Sequence, residues 1–183
     1  MPISFKQGLA IADEHEPLVI KAIEALGFQC IDHTTTTENG KPLKLRKYRD
    51  ERGLIKPDAT FIDKRTGRKL YVDIKTKVGP VYYFMQKSWR HGNEAIENYR
   101  KRSVLDNTPF IVVFEEPEVP GFIYSYNGKN SPAIDIGGLW IVNVNTPYIG
   151  QDYARKDLNY TGLCYYDRKV LVPVERIREV AGL

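Results

Sequence analysis

The sequence predicts a mixed α/β domain, a β-sheet with helices packed against it. Three observations carry this. An amphipathic helical segment precedes two short strands of alternating polarity, and a second helical segment leads into a compact apolar strand, Phe110 to Phe114. The 183 residues are 42% hydrophobic and 27% charged, the balance of a globular chain with a real core. No repeat or extended low-complexity stretch interrupts them, apart from Thr34 to Thr37. A disordered tail, a collagen-like fibre and a bilayer-spanning chain are excluded. The longest apolar runs are four or five residues, against the roughly 20 of a membrane helix.

Taken in order, Leu18, Val19, Ala22, Ile23, Ala25 and Leu26 fall on one side of a 3.6-residue wheel, and Gly27 is a natural stop. Pro17 belongs in the first turn of that helix or marks a kink, because it has no N–H to donate. Phe28 to Asp32 reads as a strand. Asn39-Gly40 signals a turn, and its Thr-rich flank allows a hairpin. Residues 41 to 56 hold seven basic side chains and two acidic ones. The clearest strand pair follows, Asp58 to Asp63 and Lys69 to Lys75, joined by a Gly-containing loop. A helix is expected over about Met85 to Arg102, where Met85, Trp89, Gly92, Ile96 and Tyr99 recur at helical spacing. Beyond Phe114, a Glu- and Pro-rich loop leads to strands at about Gly121 to Tyr126, Leu139 to Val144 and Lys169 to Val172, then a short helix from Pro173. The expected division is a core over residues 1–116 and an extension over 117–183 that completes the sheet or shapes access to a site.

Charge and cysteine content narrow the partners. Lys and Arg number 27 against 23 Asp and Glu, a net +4 that favours an anionic partner only mildly. Cys30 and Cys164 lie far apart, without metal-binding spacing. With no basic-then-apolar leader at Met1 to Gln7, a cytoplasmic chain with reduced thiols is expected. Several chemistries drop out. The sequence has no Walker A loop, no G-x-G-x-x-G and no G-x-S-x-G elbow. His15-Glu16 would need a histidine at Val19 to start a zinc helix, and His15, His33 and His91 are too dispersed for a metal cluster.

The hairpin carries the remaining chemistry. In its second strand Leu70, Val72 and Ile74 share one face, and Tyr71, Asp73 and Lys75 share the other. An acid and an ammonium thus stand about 6.6 Å apart along one face. Asp58, on the neighbouring strand, reaches that face if the register allows. Two carboxylates and a lysine are what metal-assisted phosphodiester hydrolysis needs: oxygen ligands for a hard cation, a bound water made acidic, and a positive charge beside the developing negative one. The plain alternatives are a turn acid at Asp58 and a solvated strand face at Asp73 and Lys75.

Pro57-Asp58, fourteen residues, then Asp73-Ile74-Lys75 resembles the signature of the PD-(D/E)XK, or restriction-endonuclease-like, nucleases. The order of elements over roughly residues 8 to 116 resembles that family's αβββαβ core. The resemblance implies a Mg²⁺-dependent DNA endonuclease, with Mn²⁺ as a substitute. It implies Asp58, Asp73 and the Ile74 carbonyl as metal ligands and Lys75 as the residue holding the attacking water. Many members, archaeal-type Holliday junction resolvases among them, place a glutamate about eleven residues before a Gly-Phe that ends the first helix. Glu16 stands eleven before Gly27-Phe28. On the wheel Glu16 lies roughly 70° from the apolar centre, and Glu14 and Glu24 about 130° or more. Glu16 is therefore the preferred third acid, with Glu14 as substitute; an acid complementing the helix dipole is the plain alternative.

For the DNA, Lys77 lies on the strand face of Asp73 and Lys75, and Lys87 and Arg90 on the helix expected after it; the basic run before Asp58 is suited to a duplex backbone. Each of these is otherwise ordinary solvated surface. The resemblance further implies duplex or branched DNA as partner, no membrane, and a homodimer. A catalytically inactive DNA-binding or assembly protein that retains the fold is the rival expectation.

Overall fold

The computed structural model describes residues 5–34, 37–38, 41–42, 49–76, 88–116, 124–126, 129–131, 138–148, 150–151 and 163–183. Helix α1 (Phe5–Ala25) leads to strand β1 (Phe28–His33), two short strands β2 (Thr37–Glu38) and β3 (Lys41–Pro42), and the hairpin β4 (Ala59–Asp63) and β5 (Lys69–Thr76). Strand β6 (Ser88–Gly92) runs into helix α2 (Asn93–Leu105), followed by β7 (Phe110–Glu116), β8 (Tyr124–Tyr126), β9 (Lys129–Ser131) and β10 (Gly138–Asn143). The chain ends through β11 (Gly150–Gln151), β12 (Leu163–Asp167), β13 (Val172–Pro173) and helix α3 (Ile177–Ala181).

The architecture is mixed α/β. A six-stranded sheet has the order β1-β4-β5-β7-β10-β13. Its pairs are antiparallel except β5 with β7, which run parallel. A parallel pair requires a crossover, and α2 lies in the one between them. Strand β7 explains its own sequence: Ile111 and Val113 face one layer while Phe110, Val112 and Phe114 face the other, so both sides are apolar. On the first face, Val19, Ile20 and Ile23 of α1, lying over β5 and β1, and Ile177 and Ala181 of α3, lying over β7 and β10, share one core with Phe61, Leu70, Val72 and Ile74. On the second, Ile96 and Tyr99 of α2 cover β7 together with Val142, Val144 and Tyr166. No helix among the described residues is long and apolar enough to cross a membrane.

Three elements differ from expectation. Residues 88–92 form a strand rather than the first turns of the second helix. β6 pairs with β12, Trp89 opposite Tyr166 and Arg90 opposite Tyr165, and Gly92, a weak helix residue, closes the strand just before Asn93. The segment near Lys169 is a single 3-10 turn, Arg168–Val170, and only Val172–Pro173 pairs with β10. Pro17 lies well inside α1 rather than in its first turn. The hairpin suggested around Asn39-Gly40 is present as a β2–β3 pair, Thr37 opposite Pro42 and Glu38 opposite Lys41; residues 39–40 themselves lie outside the described ones.

Candidate active site

Strand β5 is longer than its hairpin partner, and the site lies where it outruns it. The β4–β5 ladder ends at Ala59 opposite Val72, while β5 continues along β7 as far as Thr76. Past Val72 the β4 side of β5 therefore has backbone groups without a ladder partner. Asp58, one residue before β4, supplies one: its Oδ2 accepts the Ile74 N–H at 2.7 Å. The Thr34 N–H ties the Asp58 carbonyl from the end of β1 at 2.8 Å. Pro57 is buried beside it.

Asp73 and Lys75 follow the alternation of β5 onto the α2 face. Asp73 is 0% exposed. Its Oδ1 accepts the Lys75 ammonium at 2.9 Å and the Tyr99 hydroxyl at 2.6 Å. Tyr99 is itself buried, stacked on Phe110 with ring centroids 4.2 Å apart. The same ammonium lies 3.3 Å from the Ile74 carbonyl and 3.6 Å from Asp58 Oδ2. The expected lysine, both strand acids and the expected backbone ligand thus gather around one positive centre.

The electrostatics follow from that crowding. Burial, and then the Asp73 charge, hold the Asp58 carboxyl well above the usual carboxylate range, against the pull of Lys75 and the Ile74 N–H. Burial acts to lower the Lys75 pKa, but Asp73 and Asp58 overcome it and keep the ammonium charged. The Tyr99 hydroxyl is driven up by burial and by the Asp73 and Asp58 charges. It keeps its proton and donates a hydrogen bond to Asp73.

Glu16 sits beside this group but has a partner of its own. His33 Nε2 lies 2.6 Å from Glu16 Oε1. Burial raises the Glu16 pKa, His33 and Lys75 lower it, and Asp73 raises it. Asp58 in turn feels the Glu16 charge. The carboxylates of Glu16, Asp58 and Asp73 therefore share one electrostatic neighbourhood. Among the described residues no three His, Cys, Asp or Glu side chains form a ready metal-ligand group. The Glu24 carboxylate is used locally, on the Cys30 N–H; the Glu14 side chain lies outside the described residues.

The residues expected to touch DNA fare differently. Lys77 and Lys87 lie outside the described residues, and Arg90 is on β6 rather than on a helix. In the basic run, Arg49 donates to the Gly53 carbonyl and to Asn98, and Arg52 clasps Asp50 and Asp106. These two arginines brace the 49–55 loop against α2. On α2 itself, Arg100 donates to the Val144 and Thr146 carbonyls. Two residues of the site were missed from sequence. Tyr99 sat in an apolar stripe, where only its polar tip hinted at a buried partner. His33 looked like an isolated half-exposed histidine.

No protein-family model matches the sequence, and no curated protein matches it. Among solved structures the chain resembles Hjc. Hjc is a Holliday junction resolvase of Archaeoglobus fulgidus, an archaeal hyperthermophile; the alignment covers 90% of this chain and 97% of that one, at 10% identity and a TM-score of 0.49. No residue role passes from Hjc to this chain at that identity.

Proposed function

We propose that this chain is a metal-dependent DNA endonuclease of the PD-(D/E)XK kind, selective for branched DNA in the manner of a junction resolvase. The observation that carries the reading is the Lys75 ammonium, set against Asp73 Oδ1, the Ile74 carbonyl and Asp58 Oδ2 at 2.9, 3.3 and 3.6 Å. Those three oxygens form a site that favours positive charge. Two buried carboxylates held next to each other are costly unless a cation compensates them, and the donors are all oxygen, which suits Mg²⁺ or Mn²⁺.

Asp58, Asp73 and the Ile74 carbonyl would hold the ion; Glu16, paired with His33, would have to turn from that partner to join them. Bound there, the ion supplies phosphate polarisation and an acidified water. Tyr99 fixes the Asp73 carboxylate by its 2.6 Å hydrogen bond, so the ligand does not reorient when charge arrives. Lys75 keeps its proton, and its ammonium is placed to orient the nucleophile and to offset charge developing at phosphorus. Phosphate contacts are assigned to Lys77, Lys87 and Arg90, and a homodimer would present two such sites to two strands.

The experiment is cleavage of supercoiled plasmid and of a four-way junction with Mg²⁺ or Mn²⁺, wild type beside Asp73→Ala. Wild type should cut, chelation should stop it, and the variant should bind DNA without cutting. Equal cutting by both proteins would overturn the assignment. Binding without cutting by wild type under either metal would identify a DNA-binding protein that keeps the fold, the rival reading.

A further inference from the structure

The tip of the β4–β5 hairpin, residues 64–69, carries four cations in six residues: Lys64, Arg65, Arg68 and Lys69. All six positions are exposed. Hydrogen bonds hold this tip in one shape. The Asp63 N–H donates to the Arg68 carbonyl at 2.9 Å and the Gly67 N–H to the Asp63 carbonyl at 2.8 Å, with Gly67 at φ +71°. The Asp63 carboxylate, buried under the turn, accepts the Arg65 N–H, the Thr66 hydroxyl and, at 2.9 Å, the Arg178 guanidinium of α3. Arg65 and Arg68 donate to the Leu183 and Gly182 backbone oxygens at 3.3 and 2.7 Å. The acid next to the tip in the chain is thus buried and paired with α3. Among the described residues no carboxylate stands within ion-pair distance of Lys64 or Lys69.

A backbone already fixed in one conformation meets a polyanion with little further ordering cost. Each phosphate that a lysine then neutralises releases condensed counterions. Lys69 also stands in a fixed relation to the candidate site. It shares strand β5 and, by alternation, one strand face with Asp73, four residues or about 13 Å away. Along a duplex that is about four base steps, so DNA seated at Asp58 and Asp73 extends far enough to meet the tip. We propose that the β4–β5 tip is a second contact for the DNA phosphate backbone, made by Lys64 and Lys69. The proposal rests on the nuclease reading above for the identity of its ligand, and it involves no metal ion. Phosphate contacts of this kind fix register and orientation and read no sequence.

The test is fluorescence anisotropy of a labelled four-way junction with the full-length chain and a chelator, over a salt series from about 50 to 200 mM. Wild type is compared with Lys64→Gln/Lys69→Gln, with Lys64→Arg/Lys69→Arg, and with Lys21→Gln/Lys101→Gln, which removes two exposed lysines from α1 and α2. Each lost phosphate contact lowers the slope of log K against log salt by about 0.9, so the glutamine pair at the tip should lower it by about 1.8. The arginine pair should keep the wild-type slope, and so should the helix pair. An unchanged slope in the tip glutamine pair would overturn the proposal. An equal fall in the helix pair would trace the effect to net charge and overturn it too. If the tip glutamine pair loses affinity for poly-glutamate but not for the junction, the tip is a surface for an acidic polypeptide and the proposal fails. A tip-dependent slope in a wild-type chain that never cuts with Mg²⁺ or Mn²⁺ would sink the nuclease reading and leave the tip contact standing. A wild-type chain that binds no DNA overturns both.

Discussion

The Tyr99 hydroxyl and the Lys75 ammonium converge on a single oxygen of Asp73, at 2.6 and 2.9 Å. One donor is a buried neutral group delivered by the helix layer; the other is a cation on the same strand, partly open to solvent. Their division of labour leads to separate expectations.

Lys75→Ala should leave metal affinity largely intact while turnover falls by about 10² or more, the loss from removing one transition-state stabiliser. Single-turnover cleavage beside Mn²⁺ titration separates the two. Metal binding that collapses with turnover would show that the lysine organises the carboxylates instead of acting on the reaction.

Tyr99→Phe keeps the ring on Phe110 and removes only the hydroxyl. A fully buried carboxylate then loses a donor, at a cost of roughly 1–3 kcal/mol. Urea unfolding of the metal-free protein should show that loss as a lower midpoint with an unchanged slope.

Arg102 is 5% exposed and donates to the Leu54 and Ile55 carbonyls and to Asp50. Arg102→Met should destabilise by about 1–3 kcal/mol, since it leaves the Leu54 and Ile55 carbonyls without their donor, while Asp50 keeps Arg52 and the Leu54 N–H. Arg102→Lys should recover little, because a point ammonium cannot make the forked set of bonds. Thermal melts of the two variants check this.

Asp50 sets an acid-sensitive part of the stability. Burial acts to raise its pKa, but the Leu54 N–H, Arg52 and Arg102 together hold it at about 2, below its ordinary 3.8. A folded pKa below the unfolded one gives stability that is present above pH 3.8 and lost as pH falls toward 2. Allowing for solvent screening, the contribution is about 1–2 kcal/mol. Asp50→Asn should lower stability at pH 7 and flatten the profile between pH 4 and 2; a parallel profile would refute the assignment.

How much could be read from the chain alone follows the range of the contacts. The alternation of Leu70, Val72 and Ile74 against Tyr71, Asp73 and Lys75 is a local signal, and the two faces of β5 follow it. Asp58 meets Ile74 through a hairpin whose loop chemistry is also local. β6 was hidden because its pairing partner, β12, begins at Leu163, and Trp89 and Gly92 happened to fit a helical period. The Glu16–His33 contact depends on the angle at which α1 crosses the sheet, which no spacing encodes. Arg52, counted in a basic run, stays exposed but pairs with Asp106 just past the end of α2, a partner too far along the chain for any spacing to reveal.

Residues 64–68 alone separate β4 from β5, so these two strands can zip together within microseconds. Asp58 and Asp73 then approach each other while water still dampens their repulsion. β7 and α2 must close a far longer loop, and slower long-range closure brings Phe110 and Tyr99 over the acids afterwards. The electrostatic cost of the centre therefore belongs to the docking of the second layer on the hairpin and not to the pairing of the hairpin itself.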